Sequence, residues 1–139
     1  MKLLIPSAGT PVSFSDIFQG FLSYFNQSNI TFESVIKAYT NKKYCYFTNS
    51  GTTAFYIILK ALKTISTKTE VVLPAYTAPS LILPIKKAGL KPVLCDISLK
   101  TFNMDTQSLE KCINENTLCI VPVHMFGLPM NMEDVMQIA

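Results

Sequence analysis

With 139 residues, of which 49% are hydrophobic and 15% charged, the chain is long enough for one domain or part of one, and its apolar content excludes intrinsic disorder. The net charge is +3, but the twelve basic residues are all lysines and are scattered along the chain, which excludes a nucleic-acid footprint. The apolar stretches are too short to span a membrane and no signal-peptide core is present, so we expect a cytoplasmic protein that contacts no membrane. The four cysteines include no C-x-x-C pair and the chain has one histidine, which excludes a zinc site, so we expect no metal.

The N-terminal third is predicted to be mainly helical. Residues 1–12 contain two prolines and a glycine and are expected to form an irregular arm. Apolar residues then recur at helical spacing from position 14 to position 25, which predicts an amphipathic helix whose cap is one of the serines near its start. A second helix is predicted over about 31–39, beginning at Thr31.

From residue 44 onward, short β-rich runs alternate with helical patterns. The predicted strands are 44–48, 70–73, 92–97 and 118–123, and the predicted helices are 54–62, 77–88, 105–114 and a last one capped by Asn131. Pro84 should kink the helix over 77–88 or delay its start, and Gly89 should end it. This alternation predicts an α/β fold of three layers, a mostly parallel sheet with helices on both faces. The last helix reaches Ala139 without a stop signal, so we expect the chain to continue in its natural context.

One turn between a predicted strand and a predicted helix has the composition of an anion site. It consists of Ser50, Gly51, Thr52 and Thr53, and is called the 50–53 turn below. Gly51 permits close approach of a ligand to the backbone, the hydroxyls can donate hydrogen bonds, and the free N–H groups at a helix start favour a phosphate. The turn contains neither arginine nor lysine, and Ser-Gly-Thr turns also serve as plain helix caps, so both interpretations stay open on these residues alone.

Two other loops follow predicted strands and carry candidate ligand contacts. Tyr76 could place its ring over a flat ligand or simply pack at a strand end. His124 could donate a hydrogen bond to a substrate or serve a structural role. No paired carboxylates or nucleophile–base spacing can be assembled, so no catalytic residue is assigned.

Taken together, a series of short segments resembles the DegT/DnrJ/EryC1/StrS family of sugar aminotransferases. The matching segments are 32–33, 43–44, 49–54, 70–77, 88–93, 95–97, 101–105, 121–129 and 131–132. The resemblance implies that residues 32–139 are the N-terminal part of the large, cofactor-binding domain of a type I aminotransferase fold. Residues 1–31 would be an arm and helix that precede it.

The resemblance also implies a function and a cofactor. Members of this family use pyridoxal 5'-phosphate to transfer an amino group, commonly from glutamate, to a nucleotide-linked keto-sugar for polysaccharide or amino-sugar synthesis, and they act as homodimers. By this resemblance the 50–53 turn holds the phosphate of the cofactor, Tyr76 lies near its ring, and His124 lines the substrate pocket.

The chain departs from the family pattern in two ways. Ala78 occupies the position where the family usually has an aromatic residue stacked on the cofactor. The acidic residue that faces the pyridine nitrogen and the Schiff-base lysine of the family lie beyond Ala139, so we expect the chain to be inactive alone. Two alternatives remain: an inactive truncated remnant, or a non-catalytic domain that binds another phosphate ligand.

Overall fold

The computed structural model describes residues 12–25 and 31–139. The predicted arm over residues 1–12 lies, apart from Val12, outside the described residues. Contacts divide the chain into two units, Met1–Phe47 and Thr48–Ala139. The predicted division into an arm and helix over 1–31 and a cofactor-binding domain over 32–139 refers to the domain organisation of the family and stays a prediction.

The described part of the first unit contains two helices, both predicted. They are α1, Phe14–Phe25, and α2, Phe32–Thr40. Ser13 caps α1, since its hydroxyl accepts a hydrogen bond from the backbone N–H of Asp16 at 3.2 Å, and Asp16 accepts one from Ser13 N–H at 2.7 Å. The Thr31 hydroxyl accepts from the Ser34 N–H at 3.2 Å, which confirms the predicted start of α2.

The second unit contains a parallel sheet and four helices. In chain order its elements are α3 (Gly51–Ile65), β1 (Glu70–Pro74), α4 (Ile82–Lys87), β2 (Lys91–Cys95), α5 (Thr106–Cys112), β3 (Thr117–Ile120) and α6 (Met132–Ile138). The strand order is β2-β1-β3, and β1 pairs in parallel with both neighbours. No helix within the ranges 12–25 and 31–139 is long and apolar enough to cross a membrane.

Alternate side chains of β1 enter two separate hydrophobic cores. Val71 and Leu73 pack with Leu59 of α3 and Ile85 of α4, whereas Val72 enters the other core. That second core is completed by Cys95, Met104, Leu109, Met130 and Val135. Because successive strand residues point to opposite faces, helices α3 and α4 cover one face and α5 and α6 the other. The predicted three-layer α/β fold is confirmed.

Burial also sets the state of the cysteine in this second core. Cys95 is completely buried at the end of β2. Burial raises the pKa of the Cys95 thiol to about 12, so the side chain stays a neutral, apolar group at physiological pH. Cys95 therefore acts as a small buried hydrophobe.

The predicted strand over residues 44–48 is wrong. Residues 44–48 form no strand in the described structure, and the aromatic side chains of Tyr44, Tyr46 and Phe47 are exposed. A strand requires a hydrogen-bonded neighbour, and residues 44–48 pair with none of the strands β1, β2 and β3. The aromatic-rich composition indicated a strand that has no partner, so the described sheet has three strands rather than the four predicted.

Pro84 was predicted either to kink the helix over 77–88 or to delay its start, and the structure shows the delayed start. The chain leaves β1 through an extended segment and a 3₁₀ turn at Pro79–Leu81 before α4 begins at Ile82. Pro84 then lies in the first turn of α4, where its missing N–H removes no intrahelical bond.

Gly89 ends α4 in a Schellman motif. Its φ is +72°, its N–H donates to Lys86 O at 3.0 Å, and the Leu90 N–H donates to Ile85 O at 3.1 Å. The ammonium of Lys63, from α3, reinforces this end by donating to the carbonyls of Ala88 (3.2 Å) and Gly89 (3.1 Å). The predicted helix stop is confirmed.

Replacement of Gly89 by alanine is expected to lower the free energy of unfolding by about 1–2 kcal/mol, the cost of an L-residue in a left-handed conformation. The added Cβ would also lie 2.9 Å from Lys63 Nζ and displace it from the helix end. Urea titration of the wild type and Gly89→Ala measures the difference. Gly20→Ala, which adds a methyl group with nothing within 4 Å, is the matched control and should cost nothing. Equal effects of the two substitutions would contradict the assigned backbone strain.

Candidate functional site

The first turn of α3 lies at the carboxyl edge of the sheet. Helix α3 packs on β1 through Leu59 and leads directly into its start at Glu70, so α3 runs antiparallel to β1. Its C-terminal end is therefore near the amino edge of the sheet and its first turn near the opposite edge. The loops after β1, β2 and β3 leave from that same carboxyl edge, where open α/β sheets bind their ligands.

Ser50 is the N-cap of α3, and the first helical residue, Gly51, lies three residues before the predicted helix start at residue 54. The Ser50 hydroxyl accepts a hydrogen bond from the Thr53 N–H at 3.2 Å and lies 3.0 Å from the Thr53 hydroxyl oxygen. Its carbonyl accepts from the Ala54 N–H at 3.0 Å. The backbone N–H groups of Gly51 and Thr52 have no acceptor among the described residues.

The 50–53 turn can therefore serve both as a helix cap and as an anion-binding site. The cap uses the Thr53 N–H, and the N–H groups of Gly51 and Thr52 stay available to a ligand. A Cβ added at Gly51 would meet nothing within 4 Å, so the space over this residue is open. A helix of 15 residues also presents the positive end of its dipole here. The turn fits a phosphate group.

A cleft beside this turn is also lined by a lysine that sequence reasoning missed. A cleft of about 310 Å³ separates the start of α3 from α4, and its lining residues are Thr52, Thr53, Tyr56, Leu83, Pro84 and Lys87. Lys87 is the last residue of α4 and reaches the cleft because α4 packs along α3. The sequence offered no signal for it, since the two segments are far apart in the chain and meet only through tertiary packing.

Tyr76 lies in the loop after β1, and its ring is in contact with two other rings. The ring centroid is 5.7 Å from that of Phe102 and 6.3 Å from that of Phe126. The neighbouring Thr77 has a buried hydroxyl oxygen without a hydrogen-bond partner in the described part of the chain. A buried polar atom without a hydrogen-bond partner is unusual in a folded protein, so the hydrogen-bonding groups of this loop are not all paired.

His124 lies in the loop after β3 and makes a structural hydrogen bond. Its Nδ1 accepts from the Met130 N–H at 3.0 Å, so the proton of the neutral imidazole is on Nε2. Nδ1 therefore holds the loop, and Nε2 is a donor that a ligand could use. The predicted substrate contact of His124 stays a prediction.

Asn103 joins the loops after β2 and β3. The side chain is buried; its amide N–H donates to Leu128 O at 3.1 Å, and its amide oxygen accepts from the Met125 N–H at 2.9 Å. Phe102 and Phe126 are carried by these two loops. All three residues lie in segments that resemble the family, 101–105 and 121–129, but no role was predicted for them, because an asparagine or phenylalanine in a loop has no distinctive spacing.

The fold and site define a class of protein, an α/β domain that presents an anion-binding helix start at the carboxyl edge of a parallel sheet. Residues 17–139 match the model of the DegT/DnrJ/EryC1/StrS aminotransferase family, and the chain belongs to this family. The predicted family and the predicted type I fold are both confirmed.

Characterised relatives agree with this assignment. GDP-perosamine synthase from Caulobacter vibrioides is 33% identical over 110 residues, which are 79% of this chain and 29% of that protein. The 3-oxo-glucose-6-phosphate:glutamate aminotransferase of Bacillus subtilis is 35% identical over 108 residues, 78% of this chain and 24% of that protein. The chain therefore spans less than a third of the length of these relatives.

A solved structure gives the same fold with a cofactor. The pyridoxal phosphate form of Spr1654 from Streptococcus pneumoniae superimposes with a TM-score of 0.76 at 29% identity, covering 92% of this chain and 34% of that one. The family assignment and this structure support pyridoxal phosphate as the cofactor predicted from the sequence.

Proposed function

We propose that this chain is the N-terminal, phosphate-binding part of a pyridoxal phosphate-dependent sugar aminotransferase. The whole enzyme would act as a cytoplasmic homodimer and transfer an amino group from glutamate to a nucleotide-linked keto-sugar. The names of the relatives support these substrates, since one makes a GDP-linked amino sugar and another uses glutamate.

The observation that carries the proposal is the pair of unpaired amides at the start of α3, beneath the open space over Gly51. The N–H groups of Gly51 and Thr52 would donate to the phosphate, and the hydroxyls of Thr52 and Thr53 would complete the contacts. Charge-assisted bonds of this kind are shorter and stronger than neutral ones. Tyr76 would lie beside the cofactor ring, and the Nε2–H of His124 would face the substrate. The bound cofactor supplies an electrophilic aldehyde and an electron sink.

The remaining catalytic groups would come from the part of the family fold that follows residue 139. We infer that the 139-residue chain binds the cofactor but does not transaminate, because no lysine in it matches the Schiff-base motif of the family. Reading the DNA beyond codon 139 separates the alternatives. An in-frame acidic-Ala-Ala-Gln-like segment followed by a Ser-x-x-Lys-like loop supports the proposal, and an immediate stop codon supports an inactive remnant.

The direct test is equilibrium dialysis with pyridoxamine 5'-phosphate, which cannot form imines with surface lysines as the aldehyde can. We expect saturable binding that inorganic phosphate displaces, and binding of pyridoxamine about 10- to 100-fold weaker, because it lacks the group that makes charge-assisted hydrogen bonds. Equal affinity for the two compounds would overturn the proposed role of the 50–53 turn. An amino-group transfer assay on the same preparation should show no turnover.

A further inference from the structure

Three aromatic rings meet at the carboxyl edge of the sheet, each from a different loop. Tyr76 follows β1, Phe102 lies between β2 and α5, and Phe126 follows β3. We propose that these three residues, called the aromatic cluster below, form a stacking surface for a flat heteroaromatic ring. Phe102 and Phe126 would thus be ligand-binding residues in addition to those of the 50–53 turn.

The rings contact one another but remain accessible. The centroids of Phe102 and Phe126 are 5.7 Å apart with an interplanar angle of 85°, and the Tyr76 ring is tilted by 48° and 46° to the two. Tyr76, Phe102 and Phe126 are 49%, 38% and 70% exposed. Within the described part of the chain these rings therefore present faces and edges that a flat ligand could contact.

The backbone beneath two of the rings is in an unfavourable conformation. Phe102 has a φ of +60° and Phe126 a φ of +53°, in the left-handed region that bulky residues rarely adopt. Glycine or asparagine would satisfy either position more easily. Backbone strain of this kind concentrates at functional sites, where the surrounding structure holds a side chain in a required direction.

Hydrogen bonds hold the two strained loops in place. Asn103, next to Phe102, donates to Leu128 O and accepts from the Met125 N–H, on either side of Phe126. His124 Nδ1 accepts from the Met130 N–H across the same loop. Phe126 is therefore fixed from both sides before any ligand binds, and pre-organised rings lose little entropy on binding.

The aromatic cluster and the 50–53 turn share the carboxyl edge of one unit, so one molecule that has both a phosphate and a flat ring suits them. This step rests on the proposed function. Two molecules in the proposed reaction carry both a phosphate and a flat ring. They are the cofactor, which has a pyridine ring, and the nucleotide-linked sugar, which has a base. Stacking on aromatic side chains tolerates either ring, since both present a π face.

The test compares Phe102→Leu, Phe126→Leu and Phe126→Gly with Phe14→Leu as the matched control, because Phe14 is exposed on α1 outside the cluster. Binding of pyridoxamine 5'-phosphate, GDP and inorganic phosphate is measured by calorimetry, and Tm by thermal unfolding. We expect each cluster variant to bind one of the two ring ligands about tenfold more weakly, with inorganic phosphate unaffected. Phe126→Gly should lose this affinity without a decrease in Tm, since glycine relieves the strained φ.

The outcomes separate the two proposals. Weakened pyridoxamine 5'-phosphate binding identifies the cofactor ring as the ligand of the aromatic cluster, and weakened GDP binding identifies the base. If the wild type binds no pyridoxamine 5'-phosphate and no inorganic phosphate, the proposed function fails, while ring-dependent GDP binding would still support the cluster. The inference would be overturned if the wild type bound neither ring ligand, if every variant bound both ring ligands as tightly as the wild type, or if the Tm of Phe126→Gly fell sharply.

Discussion

Replacement of Gly51 by alanine is expected to weaken the binding of pyridoxamine 5'-phosphate about 10- to 100-fold, because the new methyl group occupies the space through which a phosphate approaches the amides of Gly51 and Thr52. The loss corresponds to one or two charge-assisted hydrogen bonds. The fold should be unaffected, since the added Cβ meets nothing within 4 Å and alanine is a better helix former than glycine. Calorimetric titration of both proteins measures the difference.

Gly20→Ala is the matched control for this substitution. It also adds one methyl group into open space on a helix, but on α1, outside the site. Its affinity for pyridoxamine 5'-phosphate should equal that of the wild type. A similar loss in both variants, or no loss in Gly51→Ala, would contradict a phosphate position above Gly51.

Replacement of Leu59 by alanine is expected to lower the free energy of unfolding by about 3 kcal/mol, the typical cost of a cavity left by a buried leucine. Leu59 is completely buried, and it joins α3 to Val71 and Leu73 of the central strand. This contact fixes the helix whose first turn holds the candidate phosphate site. A loss of that size is a large fraction of the stability of a small domain.

The matched control is Leu99→Ala, since Leu99 is 85% exposed in the loop after β2. The same deletion there should change the free energy of unfolding by less than about 0.5 kcal/mol. Urea-induced unfolding of both variants, followed by far-ultraviolet circular dichroism, gives the comparison. Equal shifts of the midpoint would mean that α3 does not pack on the sheet as described.

The sequence predicted those parts of the fold that depend on local chemistry. Thr31 and Asn131 were predicted to be helix caps, and Ser13 was one of two candidates with Ser15, because short polar side chains suit that position. Ser13, Thr31 and Asn131 all accept the backbone bonds of a cap. Gly89 was identified as a helix stop because only glycine adopts a positive φ without strain. The parallel sheet followed from the alternation of strands and helices.

The errors and omissions concern features that depend on distant partners. Residues 44–48 have the composition of a strand, but a strand forms only where its backbone pairs with a neighbouring strand, and composition does not report such a partner. Lys87 lines the same cleft as Thr52 and Thr53 only because α4 packs on α3. The positive φ of Phe102 and Phe126 goes against the intrinsic preference of phenylalanine, so no local rule could have predicted it.

The most direct test of a phosphate site at the start of α3 is a two-dimensional amide spectrum of the nitrogen-15-labelled chain, recorded during titration. The account predicts that pyridoxamine 5'-phosphate and inorganic phosphate both shift the amide signals of Gly51 and Thr52, whereas pyridoxamine without its phosphate leaves them in place. Shifts that avoid these two amides, or that appear equally with pyridoxamine, would contradict it.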